Sequence, residues 1–336
     1  MSPQTSSFWK NSLRWLPGIL ISLVAIVLVA RLVQWEDLGP SLALFLPWYV
    51  FIFIGLTLVF LALRAATWRA LLNNQPKISE TFWAINQGYL LNNILPFRLG
   101  EIGRAVLLSQ QTKIPAAQIL SSVIIERALD LVIAAAMLLS TLPLALEMDW
   151  ARPVATVILV VVIIGLVGLY FMARAHEKVS TWFEKTVSRV PFLSKWVAPQ
   201  VRSLLNGLSA LTDPGQLIAA IGFILLSWLV AMISYWVGLF AVTSTPPFWW
   251  GIFVDAVLAL GIAIPSAPAS LGTFEAALVG AFSVLKINQT TALAYAITFH
   301  FLQILVTGIL GATGLVRQGQ SLGRVFTDLQ SRKTTA

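Results

Sequence analysis

Long apolar runs, each close to the length of a bilayer crossing, dominate the hydrophobic pattern of this chain. A spanning helix needs about 20 predominantly apolar residues. The pattern predicts about six full spans: Leu16–Trp35, Leu44–Leu63, Ile119–Leu142, Pro153–Ala173, Gln216–Val242 and Thr291–Val316. It therefore predicts an all-α polytopic membrane protein, with residues 1–336 forming one integral membrane domain.

Two further apolar regions, Thr81–Gln110 and Phe248–Leu285, are interrupted by proline and glycine. The interruptions are Pro96 and Gly100 in the first region and Pro265, Pro268 and Gly272 in the second. Both regions contain the pattern Pro-x-x-Leu-Gly. Paired interruptions in corresponding halves are typical of inverted repeats. We expect two broken or re-entrant hairpins in an inverted repeat, 44–142 and 216–316, with a chance match of so short a pattern as the alternative.

Basic residues lie mainly in short segments between the apolar runs, where positive charge marks the cytoplasmic side. Lys10 and Arg14 precede the first run, which predicts a cytoplasmic N-terminus. The same rule predicts a cytoplasmic amphipathic loop at 174–213 and a basic cytoplasmic tail at 317–336. It also assigns to the cytoplasmic side the basic residues after the second predicted span: Arg64, Arg69 and Lys77. The expected location is the inner (plasma) membrane.

Composition supports lipid as the solvent for much of the chain. Of the 336 residues, 58% are hydrophobic and 11% are charged, against roughly 25% charged in soluble domains. The net charge of +8 does not indicate nucleic-acid binding, because the basic residues follow the topology pattern. The chain has no cysteine and two histidines, so thiolate chemistry is excluded and a zinc site lacks ligands. We expect no cofactor or metal.

Polar residues crowd around the first interruption. Non-helical backbone at membrane depth is tolerated only inside protein or beside a wet cavity. A half-helix starting after Pro96 would present free N–H groups over Leu99–Ile102, and such groups attract anions. The predicted headgroup-binding residues are Asn92, Asn93, Arg98, Gly100, Glu101 and Arg104. The alternative is a cytoplasmic loop whose arginines only set topology.

The predicted span Ile119–Leu142 contains three ionisable residues, Glu126, Arg127 and Asp130. Such groups are costly in a bilayer and usually face partners or a cavity. Their spacing places them on neighbouring helix faces. The predicted ionic network combines these three with Arg98, Glu101 and Arg104. It either fastens two helices together or separates and re-forms during transport.

Ionisable residues are sparse in the second half. The predicted second-half motif consists of Asp255, Pro265, Pro268, Gly272, Glu275 and His300. Isolated titratable groups in apolar helices are candidates for proton coupling or for pairing with the first-half arginines. The alternatives are a buried, hydrogen-bonded His300 and an Asp255 near the aqueous boundary.

Three stretches together resemble a known family, the transmembrane (flippase) region of lysylphosphatidylglycerol synthetases. They are Asn92–Arg104, Glu126–Asp130 and the Pro265–Glu275 stretch, which ends in the pattern Gly-x-x-Glu. The resemblance covers roughly residues 15–320. It implies movement of an aminoacylated phospholipid across the bilayer, while a soluble C-terminal domain makes that lipid. Relatives are also associated with polyprenyl-phosphate glycolipids and hopanoid pathways.

The function we expect is a lipid transporter for an anionic phospholipid or a polyprenyl-phosphate-linked lipid. The chain ends about twenty residues after its last predicted span, so we expect a stand-alone member without aminoacyl-transfer activity. Expected partners are membrane lipids and a lipid-modifying synthase or glycosyltransferase. One alternative is a membrane glycosyl- or phospho-transferase, although Glu177, Glu184 and Asp213 make a poor magnesium site. Another is an accessory subunit of a synthase.

Overall fold

The architecture is that of a computed structural model, which describes residues 16–45, 47–146 and 213–320 and the single positions 153, 157, 160 and 164. Every regular element in these ranges is helical. The α-helices are α1 (Leu16–Leu32), α2 (Leu38–Leu42), α3 (Pro47–Leu71), α4 (Ile78–Ile94), α5 (Gly100–Gln111), α6 (Ala116–Ala145), α7 (Pro214–Leu239), α8 (Phe248–Ala263), α9 (Thr273–Val284) and α10 (Gln289–Arg317). Short 3-10 helices cover Trp35–Asp37 and Pro268–Ser270.

Four of the described helices, α3, α6, α7 and α10, are long and apolar enough to cross a bilayer. The helical segments Gly18–Leu32 and Trp35–Leu42 meet at 88° and would make a fifth span together. Large apolar side chains point outward from these helices; Phe51 is 72% exposed and Ile218 is 70% exposed. Exposed apolar surface of this extent fits lipid rather than water. The chain is a multi-pass membrane protein.

The six predicted spans are matched in part. Helix α1 ends at Leu32, so the first span stops before Trp35, where the chain has already turned. The second predicted span continues beyond Leu63, because α3 extends to Leu71. The predicted span Pro153–Ala173, the predicted loop 174–213 up to its last residue, and the tail beyond 320 lie outside the described residues.

Both predicted interruptions are real breaks in the helices. Helix α4 ends at Ile94 and α5 begins at Gly100, while α8 ends at Ala263 and α9 begins at Thr273. Proline ends a helix because it lacks an N–H and restricts the residue before it. We refer to residues 95–99 as the first break and to residues 264–272 as the second break.

The two breaks share a backbone conformation. After Pro96, Phe97 and Arg98 have φ values of 58° and 54°; after Pro268, Ala269 and Ser270 have φ values of 55° and 57°. Consecutive left-handed residues other than glycine are uncommon. In both breaks they occupy the two x positions of the pattern Pro-x-x-Leu-Gly.

The helices pack in corresponding pairs across the two halves of the chain. Helix α3 lies along α7, α4 lies along α10, and α6 lies along α8. Within the halves, α4 packs on α5 and α5 on α6, as α8 packs on α9 and α9 on α10. These helix contacts in the first half therefore have counterparts in the second half.

Glycine lets helices α4 and α5, on either side of the first break, lie in direct contact. A Cβ atom added to Gly100 would clash with the backbone oxygen of Gly88 and with the side chain of Asn92. Gly88 in turn lies against the side chain of Arg104. The close contact between α4 and α5 fixes the position from which Arg104 reaches its partners.

Candidate functional site

Glu126 on α6 is the centre of an ionic network in the first half. Its side chain is completely buried and accepts hydrogen bonds from three guanidinium groups. Arg64 on α3 contacts one carboxylate oxygen, Arg104 on α5 donates to the other at 2.8 Å, and Arg127 donates at 2.9 Å. Buried charges are stable only when paired and hydrogen-bonded in this way.

Two further carboxylates complete the network. Asp130 accepts from Arg64 at 2.7 Å and from Arg127 at 2.9 Å, and Glu101 pairs with Arg104 at 2.7 Å. The charges balance, with three arginines and three acids: Arg64, Arg104, Arg127, Glu101, Glu126 and Asp130. Three helices, α3, α5 and α6, are thereby joined.

Arg64 was not predicted to belong to this network. It lies one residue beyond the predicted span Leu44–Leu63 and was therefore assigned to the cytoplasmic loop. The structure places it inside α3, only 2% exposed. The residues that follow, Ala65 to Leu71, continue the helix. An arginine flanked by apolar and helix-forming residues on both sides is the signal that identifies it as part of a span.

Arg98 takes a different place from the one predicted. Its side chain is half-buried, and within the described residues its guanidinium makes no hydrogen bond or ion pair with another side chain. Phe97 and Arg98 both have a left-handed backbone, and Arg98 lies on the wall of a cavity that Arg64 and Arg127 also border. Arg64 therefore occupies the position in the network that was assigned to Arg98.

The backbone N–H groups after the first break are already engaged. The Gly100 N–H donates to Oδ1 of Asn92 at 2.8 Å. The Leu99 and Glu101 N–H groups donate to the carbonyl oxygens of Pro96 and Arg98. The prediction of free N–H groups over Leu99–Ile102 is wrong at these three residues, because the tight turn supplies its own acceptors.

The second break is held by a histidine and a carboxylate. His300 on α10 places Nδ1 at 2.6 Å from Oε1 of Glu275 and Nε2 at 2.8 Å from the carbonyl oxygen of Ala269. The other oxygen of Glu275 accepts the N–H of Gly272 at 2.7 Å. The imidazole ring stacks on Phe274 with 4.0 Å between ring centroids. His300 is therefore a buried and fully hydrogen-bonded histidine.

The remaining predicted residues lie around the same region. Asn93 donates from Nδ2 to Thr307 at 3.1 Å, which joins α4 to α10. Asp255 on α8 is 5% exposed, and its Oδ2 has no hydrogen-bond partner among the described residues. Pro265 and Pro268 lie in the second break, and Pro268 begins its short 3-10 helix.

Pairing between second-half acids and first-half arginines is not found among the described residues. Glu275 pairs with His300, and the arginines of the network pair with first-half acids. Hydrogen bonds link the halves instead, among them the one from Asn93 to Thr307 and one from Nε1 of Trp228 on α7 to Asp130, at 3.1 Å.

The two breaks and the network border one internal cavity of about 390 Å³. Its charged and titratable wall includes Arg98, Glu101, Arg127, Asp130, Asp255 and His300. Aromatic and aliphatic side chains such as Phe53, Phe60 and Leu131 form much of the rest. Glu126 and Arg104 lie behind this wall. In the described part of the chain, no group of three acidic or imidazole side chains is arranged to hold a metal ion.

Comparison with known proteins gives a family match over most of the chain. The sequence profile described as "Lysylphosphatidylglycerol synthase TM region" matches residues 15–311. The UPF0104 membrane protein MJ1078 of Methanocaldococcus jannaschii is 23% identical over 225 residues, covering 66% of this chain and 91% of that protein. No solved structure is significantly similar to this one.

Proposed function

The chain belongs to the lysylphosphatidylglycerol synthase TM region family, and from that membership we propose that it is a lipid transporter that moves an anionic lipid headgroup across the bilayer. The observation that carries the proposal is the cavity between the two breaks. It combines the guanidinium of Arg98, which has no ion-pair partner among the described residues, with a largely apolar wall inside a bundle of membrane helices. The cargo class is an anionic phospholipid or a polyprenyl-phosphate-linked lipid.

Arg98 is the proposed headgroup ligand. A guanidinium donates two parallel hydrogen bonds to a phosphate and stays charged under all physiological conditions. The other arginines near the cavity are committed to carboxylates, whereas Arg98 has no such partner among the described residues. A phosphate entering the cavity would supply the missing counter-charge.

The ionic network supports Arg98 without binding the headgroup directly in this proposal. Because its three arginines and three acids balance, it adds little net charge to the cavity. Glu101 on α5 borders the cavity with 16% of its side-chain surface exposed; Arg127 and Asp130, which pair with each other on α6, border it with 28% and 15% exposed. These two residues are the proposed gate, since they can exchange partners without uncovering Glu126.

The apolar part of the wall suits the hydrocarbon of a lipid. Phe53 and Phe60 on α3, Leu131 on α6 and Ile262 on α8 border the same cavity as Arg98. A lipid headgroup is costly to move across hydrocarbon because its charge loses hydration. A cavity that offers the guanidinium of Arg98 and an apolar wall lowers that cost for a molecule that has both a phosphate and an apolar tail.

We further propose that the two halves form an inverted repeat. The equal backbone conformations of the breaks and the matching helix pairs α3 with α7, α4 with α10 and α6 with α8 support it. In transporters with such repeats, alternating access arises when one repeat rocks against the other around a central site. The cavity between the two breaks is the central site in this proposal.

Leaflet exchange in liposomes tests the function. Purified protein is reconstituted with a fluorescent anionic phospholipid, and exchange is measured as the fraction accessible to a membrane-impermeant quencher. We expect Arg98→Ala to lower the exchange rate about tenfold or more, as for loss of one charge-assisted hydrogen bond. The matched control is Arg31→Ala at the exposed end of α1, which should exchange lipid at the wild-type rate.

The result is interpretable only if the variant is folded, so thermal unfolding of both variants is compared with wild type. Equal exchange rates for Arg98→Ala and wild type would remove Arg98 from the site. Absence of exchange in the wild-type protein, with a folded sample and a range of anionic lipids, would favour the accessory-subunit alternative instead.

A further inference from the structure

The second break is closed by a continuous chain of hydrogen bonds that headgroup binding does not explain. The Gly272 N–H donates to one oxygen of Glu275, the other oxygen contacts Nδ1 of His300 at 2.6 Å, and Nε2 contacts the Ala269 carbonyl at 2.8 Å. Ala269 and Gly272 both belong to the second break. The hydrogen bonds therefore connect these two residues of the break through Glu275 on α9 and His300 on α10.

These hydrogen bonds require one proton beyond the single N–H of a neutral imidazole. A carbonyl oxygen can only accept, so Nε2 of His300 must carry a hydrogen and donate it to Ala269. A neutral imidazole has a single N–H, and Nε2 has used it. One more proton must therefore lie between Nδ1 and Oε1 of Glu275, either on the ring or on the carboxyl group. Both descriptions give the pair the same number of protons and no net charge.

We propose that Glu275 and His300 form a proton-binding site whose bound proton holds the second break in its closed conformation. Without the proton, the Nδ1 lone pair would face a carboxylate oxygen at hydrogen-bond distance, which is repulsive. The Ala269 and Ser270 backbone, left-handed at both residues, would lose the support of His300. The break is therefore closed when protonated and loosens as pH rises and the proton leaves.

No charged neighbour substitutes for that proton. The titratable and charged groups that line the cavity together with His300 are Arg64, Tyr89, Arg98, Glu101, Arg127, Asp130, Tyr235 and Asp255. Helix α1, which packs on α9, adds Arg31 at its exposed end. Among the described residues, none of them makes an ion pair or hydrogen bond with Glu275 or His300. The protonation state of the pair is thus decided by the pair itself and by access from the cavity that His300 borders.

A proton bound here would be a coupling ion for transport, and that role rests on the proposed function. The proton and the headgroup share one cavity wall, with Arg98 in the first break and His300 beside the second. A loosened second break would change the side of the cavity opposite Arg98. The proton site itself rests on geometry and can be tested without any lipid movement.

Cysteine accessibility is the direct test, because the chain contains no cysteine. Ser266 lies in the second break, 4% exposed and on the cavity wall; Ser234 on α7 is 6% exposed on the same wall. Ser266→Cys and Ser234→Cys proteins in liposomes are labelled with a water-soluble thiol reagent from about pH 5 to about pH 9. The ratio of the two labelling rates cancels the intrinsic pH dependence of the thiol.

We expect the ratio to rise about tenfold between the two ends of this range, the effect of losing one charge-assisted hydrogen bond. In the Glu275→Gln background the ratio should stay low at every pH. The introduced amide keeps an oxygen for the Gly272 N–H and supplies a permanent N–H for Nδ1 of His300. In the His300→Ala background the ratio should stay high at every pH.

A second measurement observes the proton itself. The chain has two histidines, so His176→Gln leaves only His300, and its ¹⁵N NMR shifts report both ring nitrogens. Nε2 should remain protonated throughout, while the Nδ1 signal should change with pH in the same range as the labelling ratio. Because Glu275→Gln retains the hydrogen-bonding geometry, it decides the matter even if His300→Ala fails to fold.

If the ratio of labelling rates rises with pH in the Glu275→Gln background as it does without that substitution, the proposed proton site is wrong. A ratio that responds to pH in a protein without leaflet exchange would keep the proton site and remove the transport role. Leaflet exchange with the same rate and pH dependence in wild type and Glu275→Gln would keep the proposed function and reject coupling to this proton.

Discussion

The two breaks have the same backbone turn but are supported by opposite kinds of chemistry. Behind the first break stands a cluster of three arginines and three carboxylates around Glu126. Arginine does not lose its proton in proteins, so the cationic half of this support is permanent. Behind the second break stands one histidine–glutamate pair, and histidine is the side chain whose charge changes near neutral pH.

This difference separates what the turn does from what its side chains do. The left-handed pairs at Phe97–Arg98 and Ala269–Ser270 show that the turn forms with large, charged, small or polar residues alike. The turn therefore belongs to the architecture of both halves. The side chains around it make one break a site of fixed charge and the other a site of variable charge.

The largest expected change in the free energy of unfolding comes from Glu126→Gln, in the ionic network behind the first break. The substitution preserves size but leaves the buried guanidinium groups of Arg64 and Arg104, and the half-buried one of Arg127, with one carboxylate fewer. Breaking a buried ion pair from one side costs about 3–5 kcal/mol. We expect a decrease of this size in the free energy of unfolding, measured by chemical denaturation in detergent.

The matched control is Glu36→Gln, because Glu36 is exposed in the short helix Trp35–Asp37. It should unfold like wild type. If Glu126→Gln proved as stable as Glu36→Gln, the network would contribute nothing to holding α3, α5 and α6 together, and the contrast between the breaks would disappear.

A smaller effect is expected from Gly100→Ala at the start of α5. The added methyl would meet the backbone oxygen of Gly88 and the side chain of Asn92. Forcing extra volume into a packed contact costs about 1–3 kcal/mol. We expect α4 and α5 to move apart, with a lower thermal unfolding midpoint and a lower rate of leaflet exchange.

Gly55→Ala on α3 is the control, since no atom of the described residues lies within 4 Å of the position where its Cβ would be. Alanine favours helix over glycine by about 1 kcal/mol, so this variant should be equal to wild type or slightly more stable. Equal stability of the two alanine variants would mean that α4 and α5 are not in direct contact at the first break.

The smallest change in the free energy of unfolding is expected for Glu275→Gln, behind the second break, when it is measured at acid pH. The amide can make both hydrogen bonds that the protonated carboxyl group makes, to Gly272 and to His300. We expect a change in unfolding free energy below about 1 kcal/mol, within the range of one net hydrogen bond. At alkaline pH the variant should be more stable than wild type, because the wild-type proton is lost there.

Glu126→Gln and Glu275→Gln both replace a carboxyl group by an amide. A difference between their unfolding free energies therefore reports the surroundings of each glutamate. A loss of several kcal/mol in Glu275→Gln at acid pH would show that this carboxylate is needed as an anion. The second break would then resemble the first, and the distinction between fixed and variable charge would be wrong.

Much of this fold could be predicted from local sequence. Proline and glycine in apolar runs predict helix breaks at Pro96 and Pro268, and the structure confirms both. The end of α1 at Leu32 could not be predicted, because Val33 and Trp35 continue the apolar pattern while the chain turns. Apolar composition predicts that a segment can lie in lipid, but not where the helix bends.

The side-chain partners depended on information that local sequence does not contain. The spacing of Glu126 and Asp130 predicts that they share a helix face, and both do contact the same arginine. That this arginine is Arg64 rather than Arg98 follows from the contact of α3 with α6. Helix neighbours and left-handed turns are set by tertiary packing.

The pairing of Arg64 with Glu126 also constrains how this protein is made. The two residues are 62 positions apart in the chain, so α3 leaves the ribosome well before α6 exists. Until then Arg64 has no carboxylate to meet within the bilayer, and an unpaired arginine there is unfavourable by about 2.5–3.5 kcal/mol. Helix α3 should therefore wait at the edge of the translocon and enter lipid together with α6, which makes their insertion a single concerted step in biogenesis.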